Sequence, residues 1–212
     1  MACCSCITPS SLCSPSFAVT AIDDVRRLLA ARRPVEARAQ PGDQPAAVSM
    51  ILHEAGDGLE ALFIKRAERA GDPWSGQVAF PGGRREPTDA DLLATAIRET
   101  HEEVGVELTA AMLLGALNDL QPRTPTLPPV IVRPFVFAVA DRPALVVDEE
   151  VQRAFWIPFR RLAEPGLYRD VALTIRGQQR TFPAYDLGDD VIWGMTERIL
   201  TPFVDMLRGS EP

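Results

Sequence analysis

Residues 89–106 read DADLLATAIRETHEEVGV, from Asp89 to Val106. Leu93, Ala96, Ile97, Thr100 and Val104 recur there in one stripe at helical spacing, which predicts an amphipathic helix over about Asp89–Val104 packed on a sheet. Thr88 and Asp91 read as a variant capping box at its start, and Gly105 stands where a helix needs a left-handed residue to stop. Away from that stripe, Glu99, Glu102 and Glu103 project within an arc of roughly 100°. Like charges so spaced repel by a few tenths of a kcal/mol per exposed pair, and by more where water is excluded. Arg98 can neutralise part of this charge. A hard divalent cation would take the rest, because carboxylate oxygens are its preferred ligands. A solvated acidic face would account for three glutamates alone. The fixed pattern of Arg98-Glu99, Glu102-Glu103 and Gly105 argues against it, since a chain of this length would carry it by chance with a frequency on the order of 10⁻⁴.

Upstream, the short apolar run Val78–Phe80 leads into Pro81-Gly82-Gly83, and a glycine pair lets the backbone turn sharply and approach a ligand. A Gly-rich turn beside an acidic helix suits a metal ion held against a polyphosphate. Further out, a short helix is expected over Ile22–Ala31 and a linker over Pro34–Gln44. Strands are expected over Ala47–His53 and Ala61–Lys65, then Leu113–Asn118, Val130–Ala140, Phe155–Ile157, Val171–Ile175 and Thr181–Tyr185. The last pair is read as a hairpin around Gly177. A final helix over Asp190–Leu207 should carry Ile192, Met195, Ile199, Phe203 and Met206 on one side and kink at Pro202. The order β-β-α-β-β-α predicts an α/β fold with α/β/α layering around one core.

The chain has 212 residues, 46% of them apolar and 24% charged, which fits one ordinary globular domain with a short extension. Its formal charge of −7 argues against broad nucleic-acid binding, so a polyanionic substrate needs a local basic patch or a metal. The longest apolar run, near Val130–Ala140, is broken by Arg133-Pro134, so no membrane span is expected. Cys3, Cys4, Cys6 and Cys13 crowd the N-terminus. They lack the second ligand pair of a zinc site, and the segment lacks the charged and apolar regions of a secretory signal. Residues 1–20 therefore read as a disordered tail or a targeting segment, residues 21–44 as helix and linker, and residues 45–208 as the working domain. A body without cysteine suits a reducing compartment, giving a cytoplasmic location, or an organellar one if the tail is part of a transit peptide.

The helix and its lead-in resemble the box of the Nudix hydrolase family, G-x5-E-x7-R-E-U-x-E-E-x-G-U, where U is a bulky aliphatic residue. Gly83, Asp89, Arg98, Glu99, Thr100, Glu102, Glu103, Gly105 and Val106 fall on it. The departures are Asp89 for the first Glu, eight residues instead of seven before Arg98, and Thr100 at the aliphatic position. The Asp and the expansion are similar to the branch that contains the coenzyme A pyrophosphatases, as are residues 76–83 and Ile192-Trp193-Gly194. The resemblance implies a Nudix-like α/β/α sandwich with a mixed central β-sheet. It also implies metal-dependent hydrolysis of a pyrophosphate bond in coenzyme A or a similar nucleoside diphosphate derivative. Where the branch usually carries a basic, histidine-containing lead-in, this chain has Asp72-Pro73-Trp74-Ser75. ADP-ribose, NADH or an oxidised nucleoside triphosphate are therefore the competing substrates, and a non-catalytic nucleotide sensor is the competing class.

By the same resemblance Mg²⁺ or Mn²⁺ would be held by Glu99 and Glu103, with Glu102 as a further ligand or the base that deprotonates water. Arg98 would orient a carboxylate, and Glu150 is a second candidate base. Lys65, Arg66, Arg69, Arg84, Arg85, Arg123 and Arg133 are the basic residues near these segments. Arg66 and Arg84, which border the box, are the expected phosphate contacts, with Gly82 and Gly83 approaching the substrate. Phe80 and Trp74 could stack on a base or line the entrance, with a core role the stronger reading for Phe80; Trp193 reads as core, and His101 reads as a surface residue. The expected partner is a small nucleotide, with no nucleic acid or membrane, and the chain a monomer or homodimer.

Overall fold

The structure is a computed structural model that describes residues 17, 19, 21–69, 74–122, 129–175 and 177–209. Its spine is β1 (Gln44–Ala55), which pairs in parallel with β6 (Val130–Val139) from Gln44↔Val130 to His53↔Val139. Both strands are apolar nearly throughout because helices cover both faces of the sheet. The other edge of β1 is shared. Its last residues, Leu52–Ala55, form a hairpin with β2 (Gly58–Arg66), while Ala46, Ala47 and Val48 pair with β4 (Gly82–Arg84). Strand β2 runs on to pair Ile64 and Lys65 with β3 (Val78–Ala79), and takes β7 (Val151–Pro158) on its outer side. Strand β5 (Leu113–Ala116) lies against β6. The result is a mixed seven-stranded sheet in which β1 and β2 diverge like a fork, with β3 and β4 between the prongs. The Ser49 N–H, at the parting, donates to the Pro81 carbonyl at 2.8 Å and pins the glycine turn there.

One face of the sheet is covered by α2 (Leu92–Val104), whose Ala96 and Val104 pack with Ala47, Ile51, Leu62, Ile64 and Phe137. The other is covered by α1 (Ile22–Ala30) and α4 (Gly194–Leu207), around Met50, Leu52, Phe63 and Phe203. A one-turn α3 (Phe159–Leu162) leads to a small antiparallel sheet of β8 (Tyr168–Ile175), β9 (Gln178–Asp186) and β10 (Val191–Trp193). The expected α/β/α layering is therefore present, although its two faces hold two apolar clusters instead of one core.

Helix α2 starts later than the apolar stripe suggests. Asp91 is its N-cap, accepting from the Ala94 N–H at 2.8 Å, because Asp89 faces inward with other partners. Gly105 ends it in the left-handed region at φ +69, as expected. At the C-terminus, Val191–Trp193 form a strand before the helix begins at Gly194, so Trp193 packs on Phe182 at 5.0 Å from the small sheet and not from a helix. The helix runs through Pro202 to Leu207. The stretch read as a linker is bound to the loop after β5: Val35 and Ala37 N–H groups donate to the Asn118 and Asp119 side chains, and Asp119 N–H donates back to the Val35 carbonyl. The four cysteines lie outside the described residues. Among the described residues no helix is long and apolar enough to cross a membrane.

Candidate active site

The fork is where the chemistry gathers, and the glycines are the reason. Helix α2 lies on one face of the sheet, yet its carboxylates reach a cleft that opens on the other. At Gly83 a Cβ would stand 2.5 Å from the Glu99 carboxylate, and at Gly82 (φ +151) a Cβ would meet the Ala47 carbonyl at 2.3 Å and Val48 Cα at 2.6 Å. The missing side chains are thus a window through the sheet, and Glu99 and Glu103 occupy it. Glu103 is 3% exposed; its Oε2 accepts from the Gly82 N–H at 2.8 Å, and its Oε1 lies 3.6 Å from Arg66 Nη1. Burial pushes the Glu103 carboxyl up to about 8; the Gly82 N–H and Arg66 oppose this, while Glu99 and Asp148 add repulsion. Glu99 is also raised by burial, against the pull of Arg98 and with repulsion from Glu102 and Glu150.

The cleft has a volume of about 440 Å³, within the range of small-molecule sites. Glu99, Glu103, Glu150, Arg66, Arg84, Gln77, Gly82 and Gly83 line it, together with Trp74. The rest of the wall comes from β1, β6 and α4, chiefly Ala46, Val48, Val130, Val132, Met195 and Ile199. The pattern that places Val130 and Val132 on a strand and Met195 and Ile199 on one side of the last helix carries no sign that they also face a cavity. Glu150 comes to the rim because the Ala67 N–H donates to its carbonyl at 2.8 Å, and its carboxylate meets Arg69 at 3.0 Å and Arg66 at 4.0 Å.

The other candidates sort by position. Glu102 is 52% exposed and bound to Arg98 Nη1 at 2.8 Å, outside the cleft lining. Phe80 contributes wall, but it is 2% exposed and stacked on Phe63 at 4.8 Å, so its ring faces are engaged within the core. Lys65 pairs with Asp190 at 2.9 Å, Arg133 with Asp119 at 2.8 Å, and Arg85 donates to the Asp89 and Ala90 carbonyls. These three are committed to the framework. Arg84 is exposed at the rim, His101 is a surface residue paired with Glu107, and Arg123 lies outside the described residues.

Arg98 is the hub behind the carboxylates. Asp89 accepts from its Nε and Nη2 at 2.9 Å each, and Glu99 and Glu102 share its Nη1. The Arg98 guanidinium holds buried Asp89 well below the usual carboxylate range, with further support from the Glu86 N–H and Thr95 hydroxyl. A depressed carboxyl stabilises the fold above its ordinary value of 3.8 and loses that contribution as pH falls below it. Asp89→Asn should therefore cost about 3 kcal/mol at pH 7 and flatten the acid side of the stability curve, as read by urea denaturation at pH 7 and pH 3. An equal loss for the wild type and the variant on going to pH 3 would remove Asp89 from this role.

Among the described residues no three His, Cys, Asp or Glu side chains converge closely enough to cage an ion. The residues nevertheless fit a cation of the Mg²⁺ type, which keeps several waters and takes one or two carboxylates plus substrate phosphates. Two carboxylates raised by burial, with one arginine 3.6 Å away, provide such a half-site.

The NUDIX domain family matches this chain over residues 43–176. The human mitochondrial coenzyme A diphosphatase NUDT8 is 31% identical over 180 residues, covering 84% of this chain and 74% of that protein. The uncharacterized Nudix hydrolase NudL of Photorhabdus laumondii is 34% identical over 141 residues, covering 66% and 73%. An uncharacterized Schizosaccharomyces pombe protein is 35% identical over 130 residues, and this chain spans only 40% of its length. Among solved structures, a MutT/nudix family protein from Enterococcus faecalis superposes with a TM-score of 0.53 at 18% identity, over 85% of this chain and 66% of that one, a likeness of fold. With the box seated in the window of the fork and the family match spanning the fork entire, the chain belongs to the Nudix family and is a Nudix pyrophosphohydrolase.

Proposed function

We propose that this protein hydrolyses the pyrophosphate bond of coenzyme A or a closely related nucleoside diphosphate derivative, giving two phosphomonoesters. The observation that carries this reading is the pairing, at one glycine window, of half-buried Glu99 and buried Glu103 with the arginines Arg66 and Arg84 in one cleft. Hydrolysis of a phosphoric anhydride needs charge neutralisation and an aligned water more than a covalent intermediate. The likeness to NUDT8 favours coenzyme A among the possible substrates.

Nudix hydrolases generally work with divalent metal ions, and here Mg²⁺ or Mn²⁺ would be held by Glu99 and Glu103. When bound, such an ion neutralises phosphate charge and lowers the pKa of a bound water. Arg66 and Arg84 would bind phosphate oxygens and orient the diphosphate over Gly82 and Gly83. Glu150, at the rim, would accept a proton from the attacking water. Glu102 would join the ligand set only if its side chain left Arg98. The location is proposed as cytoplasmic or, by analogy with a mitochondrial relative, organellar.

The test is a substrate panel of coenzyme A, ADP-ribose, NADH and nucleoside triphosphates with Mg²⁺ or Mn²⁺, the products identified by mass spectrometry. Metal-dependent formation of 3′,5′-ADP and a pantetheine phosphate is expected. No turnover of any member overturns the enzymatic reading, and nucleotide binding without hydrolysis would mark a sensor.

A further inference from the structure

The polar and apolar walls of the cleft come from different parts of the fold. Among the lining residues, Arg66, Gln77, Arg84, Glu99, Glu103 and Glu150 gather at the fork, where the Arg66 N–H also donates to the Gln77 carbonyl at 3.0 Å. Within the remaining wall, which also includes Trp74, Ala79 and Phe80, a slot lies between the sheet, at Val48, Val130 and Val132, and the first turns of α4, at Met195 and Ile199. The register sets its distance from the glycines. Val48 pairs directly with Gly82, and Arg84 pairs with Ala46, which pairs in turn with Val132, so the slot floor runs from one strand spacing from β4 at Val48, roughly 5 Å, to two at Val132, roughly 10 Å. A base carried on a sugar whose phosphate sits at the glycine turn falls within that range.

The side chains of the slot offer nothing to read a hydrogen-bonding edge. Its one polar side chain among the described lining residues is Thr196, and the Thr196 hydroxyl already donates to the Val78 carbonyl at 3.0 Å. The flexible thioether of Met195 is well suited to pack against a flat ring of any outline. We infer that this slot is the nucleobase subsite and that it holds the base by apolar contact alone, making Met195 and Ile199 specificity-determining residues that select for a base without discriminating among bases. The inference rests on the diphosphate seat proposed above for the glycine turn.

The experiment is calorimetric titration with AMP, GMP, CMP, UMP and ribose 5-phosphate in the presence of Mg²⁺. These monophosphates have no pyrophosphate bond to cleave, so their binding is measured independently of hydrolysis. If coenzyme A and its relatives are not turned over while the nucleotides bind as described, only the hydrolase reading falls. The four nucleotides should bind within about threefold of one another and at least tenfold tighter than ribose 5-phosphate, because a buried ring gains contact area that the bare sugar lacks. Met195→Glu, which places a charge in the slot, should weaken all four at least tenfold and leave ribose 5-phosphate unchanged. Its melting temperature is checked first, and Met195→Gln carries the same readout if the Glu variant does not fold. Three results would overturn the assignment: ribose 5-phosphate binding as tightly as AMP, a spread above about thirtyfold among the bases, or equal weakening of AMP and ribose 5-phosphate by the variant. A further series of ethyl, butyl and hexyl phosphates gaining about fourfold per methylene would give the slot to an aliphatic arm, and would overturn it as well.

Discussion

Glu103→Gln is expected to lower kcat by about 10³-fold or more while leaving the fold intact, an effect of the size seen when one charge-stabilising group is removed from a preorganised site. The fold should survive because the substitution removes a charge that the folded chain already disfavours. Burial pushes the Glu103 carboxyl up to about 8 from its ordinary 4.5, so between those values the native state keeps a proton that the unfolded state has lost. Stability of the cation-free wild type must then fall as pH rises from about 4.5 to 8, whereas the variant, which keeps only the raised Glu99 carboxyl, should show a smaller decline. At pH 8 without metal the variant should melt at or above the wild-type temperature. Added Mg²⁺ or Mn²⁺ should raise the wild-type melting temperature and leave the variant's unchanged, because a ligand stabilises only the state that binds it. Thermal melts at pH 5 and pH 8, with and without metal, separate these outcomes. Glu102→Gln is the natural comparison. Its carboxylate sits with Arg98 outside the cleft, so a loss much smaller than that of Glu103→Gln is expected.

The second large effect divides between the two glycines. A methyl at Gly82 would stand 2.3 Å from the Ala47 carbonyl and 2.6 Å from Val48 Cα, backbone atoms that cannot step aside without parting β1 from β4. The φ of +151 adds strain for any L side chain. Gly82→Ala should therefore cost more than about 3 kcal/mol, or roughly 10 °C in a chain of this size. A methyl at Gly83 meets first the end of the Glu99 side chain, which can swing away. Gly83→Ala should melt within a few degrees of the wild type yet lose activity about a hundredfold, since Glu99 is displaced from the window. Similar melting temperatures for the two alanine variants would show that the glycines are not distinguished in this way.

Much of this site was readable in the residues, and the parts that were not share a cause. The spacing of Leu93, Ala96, Ile97, Thr100 and Val104 identifies the buried stripe of α2, and Gly105 its end, because both are local rules of helix geometry. Thr100, the departure at an aliphatic position, is explained only by the fold: its hydroxyl donates to Ser49 Oγ at 2.8 Å, and the Ser49 hydroxyl donates to the Ala96 carbonyl at 3.1 Å, so a polar group is accommodated in a fully buried place. Ser49 lies 51 positions away, and no periodicity links the two. The same holds for Arg66 beside Glu103, for Glu150 at the rim, and for Met195 over the slot. Each depends on which strands become neighbours, above all on the parallel pairing of β1 with β6 and the fork between β1 and β2, which local hydrophobic pattern does not specify. Asp89 shows the limit from the other side. It belongs to the motif, but its place inside, bidentate to Arg98, shortens the helix that the motif alone would have begun there.

The most direct examination of the central claim is a crystal of the wild-type protein soaked in Mn²⁺ and imaged by anomalous scattering at the manganese edge. A peak within the cleft, between the carboxylates of Glu99 and Glu103 at the Gly82–Gly83 turn, is the predicted result. A manganese peak confined to other acidic surfaces, with the window free of the ion at millimolar Mn²⁺, would contradict the account.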